Sequence, residues 1–194
     1  KKAQEQHYYE AINNYQITKY NTSDADKAIA EKAVEILKAD LAKGYDHIVM
    51  ARCKNKARAN EVYKIYQQYQ DYDPVIVYSG MPNAIGTLKA IKEKKHRIIV
   101  CVNMLGEGYD LPQLKIAAIH DERQSLAVTL QFIGRFTRTN DIKLGKASFI
   151  TNIAYPPIKE EVNSLYQIDA DWNYILPRIN EEVSTQQQSL TDFL

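Results

Sequence analysis

The sequence predicts an α/β fold, a parallel sheet covered by helices on both faces. Short apolar runs alternate along the chain with segments of helical period. The runs carry little polar alternation, as strands buried on both faces do. Strands that alternate with helices along most of the chain imply a parallel sheet with crossovers.

Residues 1–22 are rich in Tyr, Asn and Gln and have no clean period. They are expected to form an irregular or partly helical lead-in or linker. From Ser23 the period sharpens: Ala30, Ala33, Val34, Leu37 and Leu41 recur at helical spacing. Ser23, with Asp26 behind it, is expected to cap this helix, and Gly44 to end it. A strand follows at residues 47–52 (HIVMAR), then a helix at 56–69 with Ala59, Val62, Tyr66 and Tyr69 on one face. The next strand is PVIVY, residues 74–78, and the next helix is 83–94, with Ala84, Leu88 and Ile91 aligned. RIIVCV (97–102) and KIAAIH (115–120) read as two further strands. A helix at 125–136 aligns Leu126, Leu130 and Ile133, and ASFI (147–150) is a fifth strand. The main domain is therefore expected at 23–153. Tyr155-Pro156-Pro157 breaks the pattern, and 154–194 is expected to be a short helical C-terminal extension with a loose tail.

Composition narrows the class. At 45% hydrophobic and 25% charged residues, the chain has the balance of a globular domain. No apolar run reaches the roughly 20 residues that span a bilayer, and no secretory signal is visible, so a cytoplasmic location is expected. A net charge of +1 excludes a generally basic protein, so any contact with nucleic acid must come from locally placed Lys and Arg. Two cysteines, Cys53 and Cys101, are too few for a disulfide framework or a zinc site, and no metal site is expected. Cys101 lies within an apolar run and reads as a buried free thiol.

The phosphate-cradling loop G-x-x-x-x-G-K-[ST] is absent from the sequence. IAAIHDE, ending in Asp121 and Glu122, imitates an apolar strand leading to Mg²⁺-binding acids. Without the phosphate loop these two read as ordinary acids at a strand end.

The informative residues lie between Arg97 and Thr139. Gln131-Phe132-Ile133-Gly134-Arg135-Phe136-Thr137-Arg138 sets two arginines at i and i+3, on one side of a helix end. Two guanidinium groups aimed together suit a phosphoryl group with charge spread over several oxygens. Before it, the strand of RIIVCVNMLGEGYDLP runs into a loop with Gly106, Gly108 and Asp110. Such glycines let a ligand approach the backbone closely. The carboxyl ends of strands are where open α/β sheets put their sites. An aspartate there can accept a hydrogen bond from a ribose or hold an arginine.

Taken together, these segments resemble the second RecA-like lobe of superfamily 2 helicases and translocases over about residues 45–152. Gly106-Glu107-Gly108-Tyr109-Asp110-Leu111-Pro112 is similar to motif V, the Q-x-x-G-R-x-x-R run to motif VI, and residues 47–66 to motif IV and its helix. VIVYSG (75–80) is similar to the next strand and turn. The GEGYDLP form looks closer to restriction-enzyme and excision-repair motors than to DEAD-box RNA helicases. Two positions depart from the DEAD-box pattern: Val102-Asn103 stands for Thr-Asp, and Gln131 for His.

The resemblance implies a RecA-like fold and a two-lobe mechanism. The N-terminal RecA-like lobe of the same polypeptide would carry the phosphate loop and the acids for Mg²⁺. ATP and Mg²⁺ are expected in that two-lobe parent and not on this fragment alone. Arg138 and Arg135 would act as arginine fingers, with Gln131 in the same catalytic motif. Gly106, Glu107, Gly108 and Asp110 would meet ATP and its ribose. Lys54, Asn55, Ser79, Gly80, Asn103 and Met104 would line a nucleic-acid groove, with DNA expected rather than RNA. Arg58, Lys89, Lys92, Lys94 and Lys95 either add positive charge there or form solvated helix faces. The many tyrosines read as core edge and surface rather than as base-stacking platforms. The rival reading is a non-catalytic RecA-like docking or regulatory module, which would have no use for Asp110, Arg135 and Arg138. A stand-alone dinucleotide-binding enzyme lacks its G-x-G-x-x-G.

Overall fold

The computed structural model describes residues 13–102, 111–121 and 145–152. In chain order the elements are β1 (Asn13–Ile17), α1 (Thr22–Ala42), β2 (Ile48–Arg52), α2 (Lys56–Tyr66), a 3-10 turn (Gln70–Tyr72), β3 (Val75–Val77), α3 (Ala84–Lys92), β4 (Ile98–Cys101), β5 (Leu114–Ile119) and β6 (Ser148–Asn152). The strands form one sheet in the order β1-β6-β5-β2-β4-β3. Every pairing is parallel.

The sheet separates two apolar layers by the alternation of its side chains. On one face Val49, Ala51, Ile98, Val100, Ile116, Ala118 and Ile150 pack against Ile29, Ala33 and Leu37 of α1 and Ala59, Val62 and Tyr66 of α2. On the other, Ile48, Met50, Ile99, Cys101 and Ala117 pack with Ile91 of α3. Each fully buried Ile or Leu here stabilises by roughly 1.5–3 kcal/mol. This is the RecA-like α/β architecture expected from the sequence, with helices on both faces.

The polar first turn of α1 is set by Asn21, not Ser23. The Asn21 side-chain oxygen accepts from the N–H groups of Ser23 (2.9 Å) and Asp24 (3.2 Å), satisfying donors that the first turn leaves open. Asp26, expected to support a cap, is instead buried under the helix. Gly44, at φ +86°, carries the chain away from the helix as expected.

Two other expectations change. Asn13–Ile17, within the stretch expected to be irregular or partly helical, is an edge strand paired with β6. The Asn152 side chain clips it in place: its amide donates to the Lys19 carbonyl (2.8 Å) and its oxygen accepts from the Lys19 N–H (3.1 Å). The helix expected to reach residue 69 stops at Tyr66, and a 3-10 turn follows that ends at Asp73 in the left-handed region. The helix expected at 125–136 and the extension 154–194 lie outside the described residues.

Candidate functional site

All strands are parallel, so their carboxyl ends share one edge. After β2 the chain proceeds to β3 on one side, and after β5 to β6 on the other. The gap between the carboxyl ends of β2 and β5 is thus a topological switch point, where doubly wound sheets open a crevice.

The β2–α2 loop stands on one side of that crevice. Lys54 and Asn55 are exposed. Asn55 caps α2, its side-chain oxygen accepting from the Arg58 N–H at 2.9 Å. The Lys54 N–H donates to Asp121 Oδ2 at 3.2 Å. The turn after β3 holds exposed Ser79 and Gly80, the latter at φ +79°, a conformation that costs a glycine little. Lys56 links the two loops. Its Nζ sits 5.2 Å from the centre of the Tyr78 ring and 3.7 Å from where a Cβ on Gly80 would lie. Four of the residues proposed for a nucleic-acid groove, Lys54, Asn55, Ser79 and Gly80, therefore gather on one edge. Lys56 joins them, a position that the sequence did not single out. Asn103, Met104, Gly106, Glu107, Gly108, Asp110, Gln131, Arg135 and Arg138 lie outside the described residues.

Behind the loop is a buried polar web. Arg58 was expected either to offer free positive charge or to sit on a solvated helix face, and does neither. Its Nε donates to Asp121 Oδ1 (2.9 Å), one terminal nitrogen to Asp26 Oδ2 (2.7 Å) and the other to Glu61 Oε2 (2.7 Å). Burial alone would lower its pKa, but these carboxylates hold it raised, so it stays charged. Asp26 Oδ1 lies 2.9 Å from His120 Nδ1, and His120 Nε2 lies 3.1 Å from the Tyr66 hydroxyl. With the Nδ1 proton toward Asp26, Nε2 accepts from Tyr66. Burial pushes the Asp26 carboxyl up, yet His120 and then Arg58 outweigh it and hold it below its ordinary value. Tyr66 has no solvent exposure and its hydroxyl is driven well above its usual range by burial. The side chains of Tyr66, His120 and Asp26 are all but sealed from solvent, and the web joins α1, α2 and the end of β5.

Asp121, read as an ordinary acid at a strand end, is nearly buried, with 7% of its side chain exposed, and uses both carboxylate oxygens. Among the described residues no group of three or more His, Cys, Asp or Glu could hold a metal ion. Among them, too, no helix is long and apolar enough to cross a membrane.

Known proteins share this fold. The chain is 27% identical over 117 residues to an ATP-dependent RNA helicase, SUB2, of Lodderomyces elongisporus, an alignment covering 59% of this chain and 27% of that protein. Saccharomyces cerevisiae Dbp5, bound to RNA and ADP BeF3, superposes with a TM-score of 0.62 at 14% identity, over 88% of this chain and 45% of that one. The structure of Mss116p DEAD-box helicase domain 2 bound to an RNA duplex superposes with a TM-score of 0.61 at 14% identity, over 81% and 59%. At such identities the superpositions speak for the fold. The chain spans about a quarter of the curated relative and less than half of Dbp5. None of these three neighbours is a restriction or repair motor by name, so the expected kinship with those motors finds no support among them. Residues 29–140, more than half of the chain, match the family model of the helicase conserved C-terminal domain. The chain belongs to that family, the helicase conserved C-terminal domain.

Proposed function

We propose that this chain is the C-terminal lobe of an ATP-dependent nucleic-acid helicase or translocase, working with an N-terminal RecA-like lobe of the same polypeptide. The observation that carries the reading is the family match over 29–140, which contains both the G-E-G-Y-D loop and the Q-x-x-G-R-x-x-R run. In this reading the other lobe binds the phosphates of ATP and its Mg²⁺, consistent with the missing phosphate loop here. Arg138 and Arg135 reach across to the γ-phosphoryl group and stabilise its developing charge. Gly106, Glu107, Gly108 and Asp110 meet the nucleotide and its ribose, and Gln131 acts within the same motif as the arginines. Lys54, Asn55, Ser79, Gly80, Asn103 and Met104 grip the backbone of the polymer without reading its sequence. Lobe closure on ATP and reopening after hydrolysis shift that grip.

The polymer is the open choice. The GEGYDLP loop favours DNA motors of the restriction and repair kind, whereas the relatives named above are an ATP-dependent RNA helicase and two proteins seen bound to RNA. RNA is therefore the first track to test, with DNA as the rival arm. A reducing cytoplasm suits the two buried free thiols.

The test is ATP hydrolysis by the full-length parent, with and without RNA or DNA, beside Arg138→Ala. One polymer should stimulate turnover. The variant should lose roughly 10³–10⁵ in rate while still binding ATP. A variant as active as wild type would sink the arginine-finger assignment. No hydrolysis under any condition would favour a docking module, the alternative that the absent phosphate loop allows.

A further inference from the structure

We propose that Asp121 is a positioning residue. It locks the candidate nucleic-acid loop after β2 to the end of β5, so that the grip on the polymer is set by the strand that leads toward the arginine run. This rests on the groove reading given above.

Three observations converge on it. Asp121 spends its two oxygens on two different partners: Oδ2 accepts the Lys54 N–H at 3.2 Å and Oδ1 the Arg58 Nε at 2.9 Å. Those partners are the loop itself and the helix that the loop starts, and Asn55 ties the same two together through the Arg58 N–H. The pairing also bridges the crevice between the carboxyl ends of β2 and β5, the two strands from which the chain departs in opposite directions. Arg58 is braced from behind by Asp26 of α1, so Asp121 cannot drift without disturbing a second helix.

The chemistry is specific to a carboxylate. An asparagine here keeps one acceptor oxygen but turns two amide donors toward a neighbouring donor. It can hold the loop or the arginine, not both. A freed Lys54 loop would meet the polymer in many geometries, and affinity would fall because the ordering cost moves to the binding step.

The experiment is a double-mutant cycle in the full-length parent, reading the RNA concentration for half-maximal ATPase stimulation and, separately, the turnover at saturating RNA. The variants are Lys54→Ala, Asp121→Asn, the pair together, and Glu61→Gln. The last removes the charge from an Arg58 partner that does not touch the loop. Each of the first two should raise the half-saturating RNA by about tenfold, the size of one charged hydrogen bond. The double variant should be no worse than the worse single, because Lys54 loses its value once its loop is free. Turnover at saturation should change much less, and Glu61→Gln should stay within about twofold. Asp121→Glu keeps both acceptors on a longer arm and guards against loss of folding; a smaller rise with the same non-additivity is expected. Additive effects, or a silent Asp121→Asn beside an effective Lys54→Ala, would overturn the positioning role and leave the groove intact. A silent Lys54→Ala would overturn the groove reading and the proposal with it.

Discussion

At the amino edge of the sheet, His47 Nδ1 lies 2.8 Å from Asp40 Oδ2, and Tyr45 stacks on the imidazole at a 5.1 Å centroid distance. At the carboxyl edge, His120 Nδ1 lies 2.9 Å from Asp26 Oδ1. One helix, α1, supplies both aspartates from its two ends. The surroundings differ. Asp40 is at the margin, 13% exposed, and Lys43 stands as far as 3.9 Å from its other oxygen. Asp26 is 4% exposed and shares its second oxygen with Arg58, which reaches on to Asp121 and the Lys54 loop. The amino-edge pair is a rivet. The carboxyl-edge pair is one node of a web that spans α1, α2, β5 and a loop that the groove reading uses. The same two residue types serve attachment at one edge and arrangement at the other.

The largest test of that contrast is stability. Asp26→Ala leaves Arg58 and His120 without their shared acceptor in a buried place, and should cost about 3–5 kcal/mol in urea unfolding. Asp40→Ala should cost about 1 kcal/mol, one hydrogen bond near water. Equal losses would erase the distinction between rivet and web.

Acid sharpens it next. The folded Asp26 carboxyl is held below its ordinary value, chiefly by His120 and Arg58 acting against burial. Its contribution is therefore fully present above the unfolded pKa of about 3.9 and is lost as pH falls through the lower folded value. Asp26→Asn should flatten the acid limb of a plot of urea midpoint against pH. A variant with an unchanged acid limb would show that the web does not carry this linkage.

The smallest effect belongs to a second amino-edge cluster, in which Asp46 pairs with both Lys94 and Arg97. Asp46 is 37% exposed, so Asp46→Ala should cost only about 0.2–1 kcal/mol, and less still in added salt. A cost equal to that of Asp26→Ala would mean that exposure does not rank these clusters.

How much of this could be read from the sequence depended on the range of the interaction. IIVC in β4 and LKIAAI in β5 are apolar runs, and such runs declare buried parallel strands directly. β1, Asn13-Asn14-Tyr15-Gln16-Ile17, is polar because an edge strand buries little; Tyr15 and Ile17 only partly pack on the core. Nothing local separates it from a linker, and its partner β6 lies far along the chain. The apolar period after β2 predicts the helix start at Lys56 but overruns its end, since Tyr69 continues the period while the backbone has already tightened. Among the candidate groove residues, the placement of those in the loops after β2 and β3 was legible because a strand end announces itself. The fate of Arg58 was not. Its partners Asp26 and Asp121 are 32 and 63 positions away, and a single sequence pairs no charges at that range.

The alternation that builds the sheet has one more consequence. Cys53 and Cys101 are backbone neighbours, the N–H of one donating to the carbonyl of the other at 2.9 Å. Yet their side chains join opposite apolar layers. The sheet stands between them like a wall, so oxidation cannot tie them together while it is intact. Burial also keeps both sulfurs protonated and slow to react: Cys101 is pushed up to about 12, and Cys53 is raised by burial and then by Asp121. Each thiol thus becomes a natural clock for its own side. Lifting α1 and α2 bares one, and lifting α3 bares the other. A timed pulse of alkylating reagent would then report which helical layer leaves the sheet first.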